Sequence, residues 1–442
     1  MAPANNLAQI DTIVVVMMEN RSFDHLLGFL SHESFDGRTD VNGLHQSGPA
    51  FDWANADAEG TPYPPMATPD GFLPSDLPHS REQVDVQING GAMTGFMKSY
   101  FAFQKNDRSA APMRFCRPQD IPITAALARR YLVCDRWFAS LPDDTMPNRL
   151  MALCGYSEID STSGLKPVFH PLPNQRTIFD WLSANGTSFG VYVDAAPIAN
   201  LGPPTNLLLM DNQLKHLVEH VHTLEKLEKD WHGSGPAPSV IYCEPFYNDF
   251  ATVVGLAGNC NHPPLPASSG ESFLRHVYTI LTSNPERWAK TMMVICYDEH
   301  GGFFDHVRPP DIGYKPPPNA KWTVNKPFTR LGVRVPGIIV SPHVEMGKCF
   351  KGLLDHTSIL QLIVEKFGDL AVDLPTFGDT AARKEQKILS LSETLTQAEP
   401  LTDVVMLPEA PHVAGPSIPV PLTNLGLAFQ DAIKKAKQAV GG

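Results

Sequence analysis

Two runs of apolar residues dominate the hydrophobic pattern of the chain. TIVVVMM at Thr12–Met18 and TMMVICY at Thr291–Tyr297 contain no charged side chain. A strand that is covered on both faces has no polar side, so each run predicts a fully buried strand. Shorter apolar runs predict further strands at residues 190–193 and 240–243 and a strand pair at 332–341.

Helical periodicity alternates with these strands. At residues 270–282, Phe273, Val277 and Ile280 fall on one face of a helix. Further helices are predicted after the loop at 19–24, after Pro147, and at 123–132, 206–232 and 357–367. The alternation predicts an α/β fold with a doubly wound, mainly parallel sheet and helices on both faces. Functional groups of such sheets collect at the carboxyl ends of the strands.

Residues 1–392 carry these elements and are predicted to form one α/β domain. Within this domain, residues 32–130 are expected to contain long loop excursions, because 32–90 are rich in Gly, Pro, Asp and Ser. From 393 to 442 the chain is predicted to form a Pro-rich linker and a C-terminal helix at 422–440 that packs on the body.

The charge balance bears on the partners of the protein. With 35 basic and 47 acidic residues, the net charge of −12 disfavours nucleic acid, because backbone phosphates are bound by clustered Lys and Arg. A small phosphate substrate is compatible with this charge, because a bound metal ion reverses the local field.

The N-terminal segment and the cysteines bear on location. The segment lacks the basic and long apolar regions of a secretory signal, and Thr12–Met18 is too short to cross a bilayer. The seven cysteines include no CxxC pair, which favours free thiols in a reducing compartment over a disulfide framework. We therefore expect a cytoplasmic protein without stable membrane insertion, and secretion by a non-Sec route is left open.

A polar cluster follows each of the two long strands. Glu19 and Asn20 come directly after the first, and Asp298 and Glu299 come directly after the second. Either cluster alone is compatible with an ordinary capping loop or turn. Because a parallel sheet brings both strand ends to one edge, together they predict oxygen ligands for one divalent cation. Such ligands suit Ca²⁺, Mg²⁺ or Mn²⁺, and Zn²⁺ is also left open.

The segment DDTMPNR supplies a third polar cluster at residues 143–149. Pro147 favours the first turn of a helix, so Thr145 would stand at a helix N-terminus, where unpaired N–H groups attract an anion. Arg149 follows one turn later. A hydroxyl in this position can act as a nucleophile when a metal favours its deprotonated form. From this segment alone, an N-cap residue is the simpler interpretation of Thr145.

Four motifs resemble those of a known family. ENRSFDHLLG, DTMPNRL, NHPP and DEHGGFFDHV occur in the order typical of the phosphoesterase family, which contains the non-specific phospholipases C and a related acid phosphatase. The motifs span residues 19–307. The resemblance implies an alkaline-phosphatase-like α/β fold with one divalent metal at the carboxyl edge of the sheet.

The resemblance also implies the roles of individual residues. It implies metal ligation by Glu19, Asn20, Thr145, Asp298 and Glu299. Thr145 would also be the nucleophile. His79 in DLPHS and His262 in NHPP match phosphate-contacting histidines. The tryptophan often found near the first is absent, however, and Asn261 replaces the acidic residue that often precedes the second.

Two further residues complete the candidate site. Arg149 is predicted to bind the substrate together with His79 and His262. His306, in FFDHV, is a further catalytic candidate, and a role in holding its own loop is the alternative. The histidine that protonates the leaving group is not assigned.

The resemblance implies a phospholipase C-type phosphodiesterase that cleaves phospholipids through a phosphothreonine intermediate. A phosphomonoesterase similar to the acid phosphatase would use the same residues, so the catalytic set does not distinguish the two. A non-catalytic binding protein on the same fold is expected to lack a ligand or the nucleophile, and all five are present. The expected partner is a phospholipid or a small phosphate ester, and the oligomeric state is undetermined.

Overall fold

The computed structural model describes most of the chain. The described residues are 6–45, 53–162 without 74, 106 and 108, 174–196, 205–248 without 211, 212, 214 and 215, 251, 258–413 without 319, 325, 398 and 402, and the single positions 430 and 434. The helix predicted at 422–440 therefore lies outside the described residues, apart from those two positions.

One central sheet and two small strand pairs make up the described β-structure. The strands are β1 (Thr12–Met18), β2 (Asn55–Ala56), β3 (Pro62–Tyr63), β4 (Met66–Thr68), β5 (Arg114–Cys116), β6 (Leu132–Cys134), β7 (Phe189–Val193), β8 (Val221–Thr223), β9 (Val240–Glu244), β10 (Thr291–Tyr297), β11 (Gly337–Val340) and β12 (Cys349–Phe350). The central sheet has the order β12–β6–β11–β10–β1–β9–β7–β8, and β2–β3 and β4–β5 form the two pairs.

β11 is the strand of the central sheet that runs against its neighbours. β1 pairs in parallel with β10 and β9, whereas β11 pairs antiparallel with both β10 and β6. Because β11 begins at the edge where β10 ends, the chain needs no helical crossover between them. The strand pair expected at 332–341 is therefore wrong in part, since this region supplies one strand. The mainly parallel sheet is confirmed.

Helices cover the sheet in two groups. The described α-helices are α1 (Phe23–Leu27), α2 (Arg81–Ile88), α3 (Phe96–Phe103), α4 (Pro122–Arg130), α5 (Thr145–Cys154), α6 (Ile178–Ala184), α7 (Leu217–His220), α8 (Leu224–His232), α9 (Glu271–Thr282), α10 (Pro285–Trp288), α11 (Thr357–Phe367) and α12 (Thr380–Glu385). α9 packs on α4 and α8, and α11 packs on α5 and α12. All residues of β1 and β10 are buried, so both faces of the sheet are covered. The predicted α/β class is confirmed.

Two regions differ from their predictions. The segment 32–130, expected to contain long loop excursions, contains β2 to β5, α2 and α3 as well as α4, which corresponds to the helix predicted at 123–132. α2 follows a capping box in which the Ser80 N–H donates to Gln83 Oε1 (3.1 Å), a signal that the Gly- and Pro-rich composition concealed. The helix expected at 206–232 is broken by β8, whose Val221 and Thr223 are β-branched and pair with β7.

The described helices also bear on membrane contact. None of them combines the length and the apolar character that crossing a bilayer requires.

Candidate active site

The two long strands bring the residues that follow them together. β1 and β10 pair in parallel up to Met18 and Tyr297, so Glu19 and Asp298 leave the sheet side by side. The Asp298 N–H donates to Met18 O (3.2 Å), and the Asn20 N–H donates to Asp298 Oδ1 (3.0 Å). The two polar pairs therefore meet at the carboxyl edge of the sheet.

The backbone at this junction explains the glycines of the DEHGG motif. Asn20 has a φ of +60°, and Gly301 and Gly302 have φ values of +61° and +76°. A Cβ on Gly301 would lie 2.2 Å from Asn20 O, and one on Gly302 would lie 2.6 Å from Pro78 O. Glycine thus allows this loop to approach both Asn20 and the segment that carries His79.

The four predicted side-chain ligands form one buried group, the oxygen cluster, made of Glu19, Asn20, Asp298 and Glu299. Glu299 Oε2 accepts the Gly301 N–H (2.7 Å), whereas Glu299 Oε1 and Asn20 Oδ1 accept no hydrogen bond from the described residues. A buried acceptor without a donor is unfavourable, and a cation can supply the missing interaction. Carboxylate and amide oxygens are the ligands that hard divalent cations prefer, so this group fits one such ion.

Arg149 lies against the carboxylates of the oxygen cluster. It donates to Glu19 Oε1 through Nη2 (3.3 Å), to Asp298 Oδ2 through Nε (3.2 Å) and to Tyr247 Oη through Nη1 (3.0 Å). Burial raises the pKa of Asp298 to about 7, although Arg149 opposes the rise.

The substrate contact predicted for Arg149 stays a prediction. Each hydrogen bond that the described structure gives its guanidinium ends on a side chain of the protein. The physical reason is that buried carboxylates require a counter-charge, which Arg149 supplies.

Thr145 is the first residue of α5 and is buried. The N-cap position belongs to Asp144, so Thr145 is not the capping residue. Asp144 Oδ1 accepts from the Thr162 N–H (2.8 Å) and hydroxyl (2.7 Å), which anchors the segment before the helix. Arg149 follows Thr145 by one turn on the same side of α5, so its ion pairs hold that turn of the helix at the oxygen cluster.

His79 and His262 lie beside this cluster on two other loops. Their ring centroids are 6.2 Å apart, and His79 Nε2 is 3.3 Å from Asn20 Nδ2. Each Nδ1 faces a backbone carbonyl, Leu77 O at 2.7 Å and Pro263 O at 2.5 Å, and therefore donates to it. These bonds fix the orientation of both rings.

Carboxylates surround the His79 ring. Glu299 Oε1 lies 3.9 Å from Nε2, and Asp76 Oδ2 lies 3.9 Å from Nδ1. Burial lowers the pKa of His79, but Glu299, Asp76 and Asp144 together raise it to about 10. A protonated ring is suited to holding a phosphate oxygen. Asp76 Oδ2 also lies 4.0 Å from His262 Nε2, so a carboxylate that the sequence motifs did not indicate serves both histidines.

His306 belongs to a separate buried network. Its Nδ1 donates to Asp24 Oδ2 (2.6 Å), and its ring stacks on Trp53 with centroids 4.5 Å apart. Arg334 donates to Asp24 Oδ1 (2.9 Å) and to both oxygens of Asp305 (3.1 Å). Of the two roles left open for His306, these contacts favour holding its loop.

Two other histidines support the oxygen cluster from behind. His356 Nε2 donates to Asp298 O (2.6 Å), its Nδ1 accepts from Trp137 Nε1 (3.2 Å), and burial lowers its pKa to about 4. His300 Nδ1 lies 3.3 Å from Glu299 Oε2. His300 stands in the DEHGG motif beside Glu299, whereas the contacts of His356, like those of Tyr247 and Asp76, come from distant elements, so the quoted motifs give no signal for them.

Comparison with known proteins agrees with the motifs. The phosphoesterase family model matches residues 10–370. Non-specific phospholipase C6 of Arabidopsis thaliana is 34% identical over 421 residues, which cover 90% of this chain and 75% of that protein. Phospholipase C A of Mycobacterium tuberculosis is 30% identical over 400 residues, which cover 82% and 74%.

Solved structures were compared in the same way. A protein in the alkaline phosphatase superfamily from Vibrio parahaemolyticus is similar at a TM-score of 0.36 and 12% identity, over 73% of this chain and 81% of that chain. The family assignment rests on the sequence matches, because the family model covers well over half of the residues. The chain therefore belongs to the phosphoesterase family.

Proposed function

We propose that this protein is a metal-dependent phosphodiesterase of the phospholipase C type, which hydrolyses phospholipids through a phosphothreonine at Thr145. The observation that carries the proposal is the oxygen cluster, gathered at the carboxyl edge of the sheet with the first turn of α5 held to it by Arg149. The relatives named phospholipases C support the choice of substrate class.

The oxygen cluster and the Thr145 hydroxyl would hold one divalent cation. When bound, the ion supplies positive charge that stabilises the deprotonated hydroxyl and the oxygens of the phosphate. The two oxygens without a donor, Glu299 Oε1 and Asn20 Oδ1, support this assignment because they are buried in the described structure.

The side chains of the protein then account for the two steps. Thr145 Oγ forms a bond to phosphorus while the bond from phosphorus to the diacylglycerol oxygen breaks. His79 and His262 hold the non-bridging oxygens, and one of these imidazoles gives a proton to the leaving oxygen. Water then attacks phosphorus and gives one proton to the imidazole, while the bond to Thr145 Oγ breaks and Thr145 returns to the deprotonated form in which it attacked.

Substitution of the nucleophile tests this proposal. Purified protein supplied with Ca²⁺, Mg²⁺, Mn²⁺ or Zn²⁺ is assayed on p-nitrophenyl phosphorylcholine and on p-nitrophenyl phosphate. We expect Thr145→Ala to lose diester cleavage by on the order of 10³-fold or more, equivalent to about 4 kcal/mol of barrier. Thr380→Ala is the matched control, because Thr380 is also a buried first residue of a helix and its hydroxyl makes no hydrogen bond with the described residues.

The two assays also separate the alternatives. Cleavage of the monoester alone would favour a phosphomonoesterase, and no cleavage with any of the four metals would favour a binding protein. Acid-quenched turnover of p-nitrophenyl phosphorylcholine should leave a phosphocholine group on the peptide that contains Thr145. Unchanged activity in Thr145→Ala would refute the covalent mechanism.

A further inference from the structure

Several exposed apolar side chains of the described residues fall in one stretch of the chain. Among the described residues, eight large apolar side chains are at least 36% exposed, and four of them lie within residues 66–103. This group includes two phenylalanines, Phe72 at 41% and Phe103 at 52% exposure. Exposed apolar side chains that cluster on a surface indicate a binding partner rather than a contribution to the core.

Phe103 lies next to the loop that carries Asp76 and His79. It is the last residue of α3, and the following residue, Gln104, donates through Nε2 to Ser75 Oγ (2.5 Å) and to Asp76 O (3.3 Å). The carboxylate of Asp76 in turn lies 3.9 Å from His79 Nδ1. The Gln104 side chain therefore connects the end of α3 directly to the loop that carries Asp76 and His79.

Phe72 lies at the other end of the same loop. The next residue, Leu73, donates its N–H to Pro264 O (2.9 Å), and Asp70 accepts from the Ala267 N–H (2.9 Å). Pro264 is two residues after His262 in the chain. Phe72 and Phe103 thus flank the segment that brings Asp76 between the two histidines.

The charges around Phe72 and Phe103 indicate which kind of membrane surface this region could contact. Lys98 and Lys105 are exposed near Phe103, and Glu82 and Asp85 are exposed on the neighbouring helix α2. These four charges cancel, and the whole chain carries −12. An anionic membrane would repel such a protein, whereas a zwitterionic surface, which has no net charge, would not.

We propose that Phe72 and Phe103 form a docking surface that inserts into the zwitterionic face of a phospholipid layer. Aromatic side chains favour the boundary between head groups and acyl chains, and the adjoining loop would then present Asp76 and His79 at the level of the phosphates. This inference rests on the proposed function, because it assigns the lipid layer as the place from which the substrate enters.

The test compares lipid binding with chemistry. Phe72→Ser, Phe103→Ser and the double variant are mixed with phosphatidylcholine vesicles, and bound protein is measured by flotation. Because two half-exposed phenylalanines are removed, we expect the double variant to bind about 10- to 100-fold more weakly. Cleavage of p-nitrophenyl phosphorylcholine, which needs no lipid layer, should be unchanged. Val372→Ser and Met406→Ser are the matched controls, since these side chains are 67% and 91% exposed elsewhere in the chain.

The outcomes separate the surface from the chemistry. Loss of vesicle binding and of vesicle hydrolysis in the double variant, with wild-type behaviour in both controls, supports the docking surface. Equal vesicle binding by wild type and double variant, equal losses in the controls, or binding that requires phosphatidylserine would each overturn it. If wild type binds vesicles through these residues but cleaves no diester, the proposed function fails while the surface stands.

Discussion

Arg149 allows a quantitative test of how the protein stabilises the buried carboxylates of the oxygen cluster. Arg149→Met retains most of the side-chain volume and removes the charge. Glu19 and Asp298 are fully buried, and both lose their ion pairs with the guanidinium. Removing one partner of a buried ion pair costs about 3–5 kcal/mol, so the free energy of unfolding of the metal-free protein should fall by about that amount.

A divalent cation should reverse part of this loss. The guanidinium contacts Glu19 Oε1 and Asp298 Oδ2, which are oxygens of two side chains that would hold the ion. Its removal also removes a positive charge that opposes binding of the ion. We expect metal affinity to increase by at least about tenfold, so that added metal stabilises Arg149→Met by about 1.4 kcal/mol more than it stabilises wild type.

Urea unfolding in EDTA and in excess Ca²⁺, Mg²⁺ or Mn²⁺ measures both effects. Arg383→Met is the matched control, because Arg383 is also buried and pairs with Asp355 and Asp379 outside the oxygen cluster. Its free energy of unfolding in EDTA should fall by a comparable amount. Added metal should raise that free energy by no more than it does in wild type. A loss of less than about 1 kcal/mol in metal-free Arg149→Met, as for an exposed ion pair, would refute the reasoning. Equal metal-dependent gains in the two variants would refute it as well.

Two further predictions concern Glu271 and His306. Glu271 accepts from the Thr124 N–H (3.2 Å), and burial raises its pKa to about 7 from 4.5. The protonated carboxyl is therefore favoured in the folded state. Its contribution to the free energy of unfolding is complete below about pH 4.5 and is lost as the pH rises through about 7. Urea unfolding at several pH values should therefore show a steeper loss of stability over this range in wild type than in Glu271→Gln, with Glu59→Gln as an exposed control; equal slopes would contradict this. His306→Asn should lower the free energy of unfolding by about 1–3 kcal/mol and leave diester cleavage within about threefold of wild type, because its contacts are those of a loop anchor. A large loss of cleavage at unchanged stability would instead assign it to catalysis.

The parts of the fold that the sequence predicts are those set by local pattern. Thr12–Met18 and Thr291–Tyr297 were predicted with the observed boundaries, because a strand buried on both faces requires an unbroken apolar run. Thr357–Phe367 was likewise predicted with its observed ends. The meeting of Glu19 and Asp298 followed from the same strands, since parallel neighbours end at one edge.

Other parts depended on tertiary contacts that no local pattern contains. β8 interrupts a helical pattern because its three residues pair with β7, and an isolated peptide offers no such partner. His306 stands in a motif that also carries Asp305, but it pairs with Asp24, which in turn pairs with Arg334, and both come from segments far away in the chain. Motif membership therefore did not indicate these contacts, and the catalytic role of His306 stays a prediction.

Arg149 shows how a side chain can have contacts that its position in the chain does not indicate. Its place one turn after Thr145 follows from the sequence, and an arginine near a helix N-terminus is an ordinary substrate contact, which stays a prediction. Its ion pairs were not indicated by any local pattern, because they depend on two carboxylates at the ends of other strands, whose burial requires a positive charge whether or not substrate is present. The need for a positive charge depends on all the buried carboxylates at this point together. It can therefore be inferred only once the fold shows that Glu19 and Asp298 lie beside Arg149. If Arg149→Met leaves the metal-free protein as stable as wild type, some other positive charge supplies that compensation.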